Sequence, residues 1–172
     1  MPLTKIQSLG ITDGTIVAGD IASGAITAAK LASGVGGKVL QVVTATDATA
    51  RSTTSTSFVT ASNTMSVTIT PSSASNKIFV IATGSIYIAG SLTYAKATIY
   101  RGATNLGSAD GMSNVYNGSN DTSSGLSLSI LDSPNTTSAT TYQVYILTNA
   151  SHAAYLNVNN TKGSITAFEI AG

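Results

Sequence analysis

The sequence contains no cysteine, which excludes a disulfide framework, a thiolate nucleophile and a zinc–thiolate site. Histidine is almost as scarce, since His152 is the single one, and the seven acidic residues are scattered. No nucleophile-elbow motif surrounds any serine, and no two carboxylates stand as a recognisable catalytic pair. The sequence therefore predicts a protein without catalytic residues, metal ligands or cofactors, and not an enzyme.

Charged residues are also scarce. Only 9% of the residues are Asp, Glu, Lys or Arg, whereas about 25% is usual for a soluble domain. The net charge is +1 and no cluster of Lys or Arg occurs, so we expect no nucleic-acid partner, which would require many cations on one face. A surface of Ser, Thr, Asn and Gly needs little desolvation of charge when copies meet. The composition thus favours self-assembly.

Long apolar runs are missing as well. No stretch approaches the roughly 18 apolar residues that span a bilayer, so membrane insertion is not expected. Residues 1–5 lack the apolar run of a signal peptide. We therefore expect synthesis in the cytoplasm without a secretion signal.

What the N-terminal part does contain is an aliphatic residue at every fifth position. These residues are Ile6, Ile11, Ile16, Ile21, Ile26 and Leu31. Gly14, Gly19, Gly24 and Gly34 follow their aliphatic residues by three places, and each can turn the chain. On an α-helix the aliphatic residues would not share a face, and in a flat strand they would alternate between faces.

A single ribbon of such repeats has too little apolar surface to fold alone, but several copies around one axis would bury all six positions. We therefore predict a threefold stem over residues 1–37, with those six residues as its core. The alternative is a flexible Gly/Ala/Ser linker, which gives no reason for six regularly spaced aliphatic residues.

From residue 38 to residue 172 the pattern changes to apolar alternation and β-branched runs. Nine segments read as strands: 39–45, 57–60, 65–70, 78–88, 92–100, 126–131, 142–148, 154–158 and 165–170. Polar turns separate them, and no helical periodicity of useful length occurs. The prediction is an all-β head, an antiparallel sandwich of the jelly-roll type. Residues 78–82 are continuously apolar, so both faces of that strand should be covered.

Residues 107–122 read as a polar loop with the best candidates for ligand contact. Tyr116 has a ring that can stack on a sugar. The polar side chains that can bind sugar hydroxyl groups are those of Asn114, Asn117, Asn120 and Asp121. The alternative is a solvated loop at one end of the sandwich.

Several segments together resemble small fibre-like structural proteins of tailed bacteriophages, especially those of cyanobacterial phages. Residues 11–34 resemble the repeats of phage fibre shafts, and residues 36–43 are similar to the entry of the heads. The segments of the head that resemble theirs are 55–58, 69–73, 131–134 and 164–170. The order of these pieces is more specific than any one of them.

The resemblance implies a homotrimer with the stem on its axis and a head similar to tumour-necrosis-factor-type jelly rolls. It implies a location in the virion, with another virion protein bound at one end and a host-surface glycan as a candidate partner of the head. The expected function is a short tail fibre or baseplate appendage that binds the host surface. A trimeric capsid decoration protein is the alternative, because the chain has no large anchoring domain. A polysaccharide-degrading tailspike ranks third.

Overall fold

The computed structural model describes residues 16–27, 30, 38–149 and 152–172. The chain divides into two units, residues 1–38 and 39–172. In the first unit a 3₁₀ turn spans Ala18–Asp20, where the carboxylate of Asp20 accepts a hydrogen bond from the Val17 amide at 3.0 Å. The predicted division into a stem at 1–37 and a head at 38–172, and the role of the stem, stay predictions.

The second unit is built from strands, and no α-helix occurs among the described residues. The strands are β1 (Val39–Asp47), β2 (Arg51–Thr53), β3 (Ser66–Ile69), β4 (Lys77–Ile88), β5 (Thr93–Arg101), β6 (Thr104–Asn105), β7 (Ser113–Asn117), β8 (Thr122–Asp132), β9 (Thr140–Thr148), β10 (Ala154–Leu156) and β11 (Gly163–Ile170).

The strands form two antiparallel sheets. The larger sheet follows the order β1-β11-β4-β10-β2, with β8 also paired to β4, and the smaller follows β3-β9-β5-β6, with β7 also paired to β5. Among the longer strands, the first pairs with the last (β1 with β11), β3 pairs with β9, β4 with β8, and β5 with β7. This nested pairing is that of a long hairpin rolled into a sandwich. The predicted antiparallel jelly roll is confirmed.

Alternating side chains from both sheets fill the interior, as a period of two requires. The core is almost entirely aliphatic: its fully buried members include Ile78, Ile86, Ile99, Ile146 and Leu156. Each such side chain contributes about 1.5–3 kcal/mol by its burial. Of the seven tyrosines and three phenylalanines, only Tyr142 is buried. The other aromatic side chains are therefore available on the outer surfaces of the head.

The strand prediction was wrong at residues 57–60, and it missed β2, β6 and β7. Residues 57–60 form no strand, because only Val59 pairs, in an isolated bridge to Ile146. Conversely, the predicted loop at 107–122 contains β7, an edge strand that pairs with β5 alone. Only alternate residues of β7 face inward, so its sequence, Ser-Asn-Val-Tyr-Asn, is mostly polar and resembles a loop.

The sandwich has two distinct ends. At the entry end, β1 begins at Val39, which lies opposite Ile170, and Ile170 in turn pairs with Lys77. At the far end, β4 finishes at Ile88 opposite the start of β8 at Thr122. At about 3.3 Å per residue, the twelve residues of β4 separate the two ends by roughly 36 Å.

Two buried carboxylates fix loops to the sheets. Asp47 accepts hydrogen bonds from the Thr49 and Thr64 amides and from the Arg51 guanidinium, each at 2.9 Å. Glu169 accepts bonds from the amide and hydroxyl groups of Ser72 and from the side chain of Asn76. Burial alone would raise the pKa of each carboxyl, but these hydrogen bonds outweigh it and hold each pKa below its ordinary value.

We expect the head to lose stability in acid. A carboxyl with a lowered folded-state pKa stabilises the fold above the unfolded-state value, near 4, and this contribution is lost as the pH falls through the folded-state pKa. The free energy of unfolding should therefore be nearly flat from pH 7 to about pH 5 and fall below about pH 4. Urea denaturation at a fixed protein concentration measures it.

Asp47→Asn tests the buried carboxylate. Asp110→Asn is its matched control, because the Asp110 side chain is 81% exposed. Asp47→Asn should cost about 1–3 kcal/mol at pH 7 and flatten the acid dependence, whereas Asp110→Asn should change neither. Equal acid dependence in all three proteins would contradict this account.

Candidate functional site

A row of four apolar side chains crosses the outer face of the larger sheet near the entry end. Val42 pairs with Phe168, Phe168 with Phe79, and Phe79 with Leu131. All four lie at outward-facing positions of β1, β11, β4 and β8. The rings of Phe79 and Phe168 have centroids 6.2 Å apart. We call these four residues the apolar row.

The apolar row is open to solvent in the single chain. Val42 is 54% exposed and Leu131 is 52% exposed, and the two phenylalanines between them are half-buried. The neighbouring positions carry hydroxyl groups that bond to one another, as Thr44 does with Thr166 at 2.9 Å and Thr83 with Ser164 at 3.1 Å. A contiguous uncharged apolar surface of this kind is typical of protein–protein contact.

This row bears on the prediction for residues 78–82. Ile78, Val80 and Ala82 are fully buried in the core, as expected. Phe79 and Ile81 point to the outer face and are half-buried. The expected cover of that face is not supplied by the described residues of the same chain.

The predicted stem core is described only in part. Ile16, Ile21 and Ile26 are exposed in the single chain, by 55%, 40% and 52% respectively. Ile6, Ile11 and Leu31 lie outside the described residues. The assignment of all six to a shared core stays a prediction.

At the far end, the turn between β7 and β8 is organised by Asn117. Its side-chain oxygen accepts hydrogen bonds from the amides of Ser119 and Asn120, at 3.0 and 2.9 Å. Its side-chain nitrogen donates to the carbonyl of Gly90. Asn117 is 3% exposed, so its amide is committed to the turn. Direct contact of Asn117 with a ligand stays a prediction.

Asp121 closes the same turn onto β4. Its carboxylate accepts hydrogen bonds from the Tyr87 hydroxyl at 2.5 Å and from the Gly90 amide at 2.7 Å. These two bonds, the one from Tyr87 foremost, lower the pKa of Asp121 below its ordinary value. Tyr87 in turn stands opposite Tyr155, with ring centroids 5.4 Å apart. Asp121 is therefore a fixed, solvent-exposed anion.

The turn borders a depression of about 510 Å³. We call its lining the far-end site, and it consists of Gly90, Ser91, Ser119, Asn120 and Asp121. The depression is shallow and open to solvent. Every lining residue offers a hydroxyl, amide, carboxylate or backbone group, and none is Lys or Arg. Two of the predicted contact residues, Asn120 and Asp121, thus lie together here.

The other two predicted contact residues, Asn114 and Tyr116, share the outer face of β7. Both are exposed, Tyr116 by 61%. Tyr116 lies opposite Tyr94, and Asn114 lies opposite Lys96. The Lys96 ammonium sits 4.7 Å from the centroid of the Tyr94 ring and pairs with Asp110. Lys96, the cation on the strand next to Asn114, is thus already paired with a carboxylate.

Sequence reasoning missed Tyr87, Gly90 and Ser91, which come from β4 and the turn after it. Gly90 was identifiable only from the structure: its φ is +88°, and a Cβ there would lie 2.1 Å from Cδ2 of His152. Any side chain at position 90 would displace the histidine ring. The His152 side chain is half-buried.

Other kinds of site find no support in the part of the chain that the structure describes. No group of three or more His, Asp or Glu side chains there could hold a metal ion. No described helix is long and apolar enough to cross a membrane. A second depression, of about 360 Å³, lies at the entry end beside Arg101 and Thr140.

The fold and these surfaces define an antiparallel jelly-roll head preceded by a regular repeat. No protein-family model matches the chain, and no curated protein matches it. Among the solved structures that match are two of a viral capsid protein, VP2 of infectious bursal disease virus. Its subviral particle is 20% identical with a TM-score of 0.38, covering 77% of this chain and 33% of that one.

A mutant VP2 that forms T=1 particles is 16% identical, with a TM-score of 0.33, and the match covers 76% of this chain and 40% of that one. The chain thus spans no more than two-fifths of the length of the VP2 chains. A likeness this distant assigns neither function nor partners.

Proposed function

We propose that the chain is a structural protein of a virus particle, a short trimeric tail fibre or baseplate appendage whose head binds the host surface. The apolar row is the observation that carries the proposal. It gives the head an uncharged surface that another copy of the same chain can cover, and it lies at the entry end, next to the residue where the repeat joins β1.

Self-association fits this surface better than a charged partner does. The hydroxyl pairs beside the row already bond to each other, so at those positions a docking copy meets no ionic group. The one charge beside the row among the described strands is that of the exposed Lys77, two residues from Phe79 on the same face of β4. The aliphatic residues of the repeat need the same kind of partner. A trimer with the repeats on its axis would bury both apolar surfaces in one assembly. Burying both brings the interface closer to the area of about 2,000 Å² or more that is usual for obligate assemblies.

The two ends of the head then have different tasks. The entry end and the repeat serve assembly and attachment to another virion protein. The far end, about 36 Å away, points away from the chain's entry and carries the far-end site. This polarity favours a fibre that presents its far end to a host surface over a capsid decoration protein, in which the same trimer would lie on a lattice.

A cysteine scan of the repeat tests the proposed axis, and the cysteine-free sequence makes it unambiguous. Ile21→Cys should form disulfide-linked pairs of chains under mild oxidation, because core positions of different copies face each other on a threefold axis. Ser23→Cys, two residues away and off the predicted core, should link far less. Equal linkage at both positions, or none at position 21, would remove the shared core.

Labelling of intact particles with an antibody against the head separates the two structural roles. Signal on the tail is expected for the fibre. Signal on the capsid lattice alone would replace the fibre by the decoration protein.

A further inference from the structure

The far-end site has the chemistry of a receptor for polyols. Asn120 offers both a donor and an acceptor, and Ser91 and Ser119 offer hydroxyl groups. The Asp121 carboxylate already accepts two hydrogen bonds, but an ionised carboxylate has about four lone-pair sites. Adjacent donors and acceptors on a fixed turn match the vicinal hydroxyl groups of a sugar ring.

An exposed aromatic ring lies next to the turn that borders this depression, outside the lining itself. Tyr116 directly precedes Asn117, which holds the turn, and its Cε1 atom lies 3.8 Å from where a Cβ on Gly118 would be. The ring is therefore packed alongside the turn, yet Tyr116 is 61% exposed. A tyrosine combines an apolar face with a polar edge, and the face can stack on the C–H groups of a pyranose.

The charge of the site selects among saccharides. Asp121 is anionic and held in place by Tyr87 and Gly90. No Lys or Arg lines the depression, and Lys96 on the neighbouring face is paired with Asp110. A uronic acid, sialic acid or phosphorylated sugar would be repelled by Asp121, whereas a neutral sugar would not; His152 also packs against this site, at Gly90.

We propose that the far end of the head binds a neutral saccharide, with Tyr116 stacking on one sugar ring and Asn120 and Asp121 binding its hydroxyl groups. This inference rests on the proposed host-binding role and names its ligand class. Asn114, two residues along β7 on the same outer face, extends the surface, so an oligosaccharide is a better fit than a single sugar.

Binding of the full-length chain to immobilised oligosaccharides tests the proposal. The probes are neutral hexose and deoxyhexose oligomers, together with matched oligomers that contain a uronic acid or a phosphate. We expect binding to members of the neutral set and none to the acidic set. Binding confined to acidic probes, or to no probe in the set, overturns the proposal.

Variants then locate the site. Tyr116→Ala should weaken binding about tenfold, in keeping with the loss of an aromatic contact, whereas Tyr116→Phe keeps the stacking face and should bind nearly as well as the original. Asn120→Ala should weaken binding, and Asn135→Ala, an exposed residue beyond β8 at the entry end, should not. Unchanged affinity in Tyr116→Ala places the ligand elsewhere and overturns the assignment.

The solution mass of the same samples keeps this proposal separate from the assembly. A trimer that binds no neutral sugar would leave the structural role intact and remove the saccharide site. A monomer that binds neutral sugar through Tyr116 would support the saccharide site and contradict the trimeric assembly.

Discussion

Val42→Lys should convert the proposed trimer to monomers at micromolar concentration. Each trimer would then carry three lysines in the apolar row, which is buried between copies in the proposed assembly. The effective cost of burying an unpaired ion is several kcal/mol, and each 1.4 kcal/mol weakens association tenfold. Val42 is 54% exposed in the single chain, so the substitution leaves the fold of each head undisturbed. Light scattering after size-exclusion chromatography measures the mass.

The matched control is Leu92→Lys. Leu92 is also an exposed aliphatic residue, 70% exposed, but it lies just before β5, outside the apolar row. This variant should keep the mass of the original protein. If Val42→Lys keeps it too, the apolar row is not an interface between copies.

Asp132→Ala should cost about 3–5 kcal/mol in the free energy of unfolding. Asp132, at the end of β8 in the larger sheet, accepts hydrogen bonds from Arg101 of β5 at 2.8 and 2.9 Å and from Tyr142 of β9 at 2.6 Å. Both partners belong to the smaller sheet, so this network ties the two sheets together. Burial of Tyr142 and its bond to Asp132 also raise the pKa of its phenol.

The loss of stability arises because Asp132→Ala leaves Arg101 and Tyr142 without their acceptor. Removing one partner of a buried ionic network strands the others without a hydrogen bond, and total domain stability is only about 5–15 kcal/mol. Tyr142→Phe removes a single bond to a charged group and should cost about 1.5–3 kcal/mol.

Tyr145→Phe is the matched control, because the Tyr145 ring stacks on Tyr100 at 4.0 Å and that stacking survives the substitution. It should change stability by less than about 0.5 kcal/mol. Urea denaturation at pH 7 and a fixed protein concentration compares the three variants. A loss below 1 kcal/mol in Asp132→Ala would show that the network contributes little.

The jelly roll was predictable from the sequence because most of its strands have a strong period of two. In β8, the buried Leu126 and Leu128 alternate with exposed serines, and a run with this pattern reads as a strand whatever its neighbours are. The same signal fails at the edges of the sheets. β7 has Val115 as its one aliphatic residue, half-buried, and its buried residue is the polar Asn117, so its strand character comes from pairing with β5, which the local sequence does not encode.

The functional surfaces were predictable to different degrees. The turn-forming, polar sequence around Asn120 and Asp121 was sufficient to nominate them as contact residues. It did not reveal that Asn117 turns inward, since the role of its amide is set by Gly90, 27 residues earlier. The apolar row was not predictable as a row either, because Val42, Phe168, Phe79 and Leu131 become neighbours only through the register of four strands.

The central claim is that the aliphatic repeat and the apolar row are covered by identical chains. The most direct test is the mass of the unaltered full-length protein in solution, measured by native mass spectrometry across a range of concentrations. The account predicts a particle of three times the 17.3 kDa chain mass that persists on dilution. A protein that stays at the mass of one chain at every concentration would contradict it.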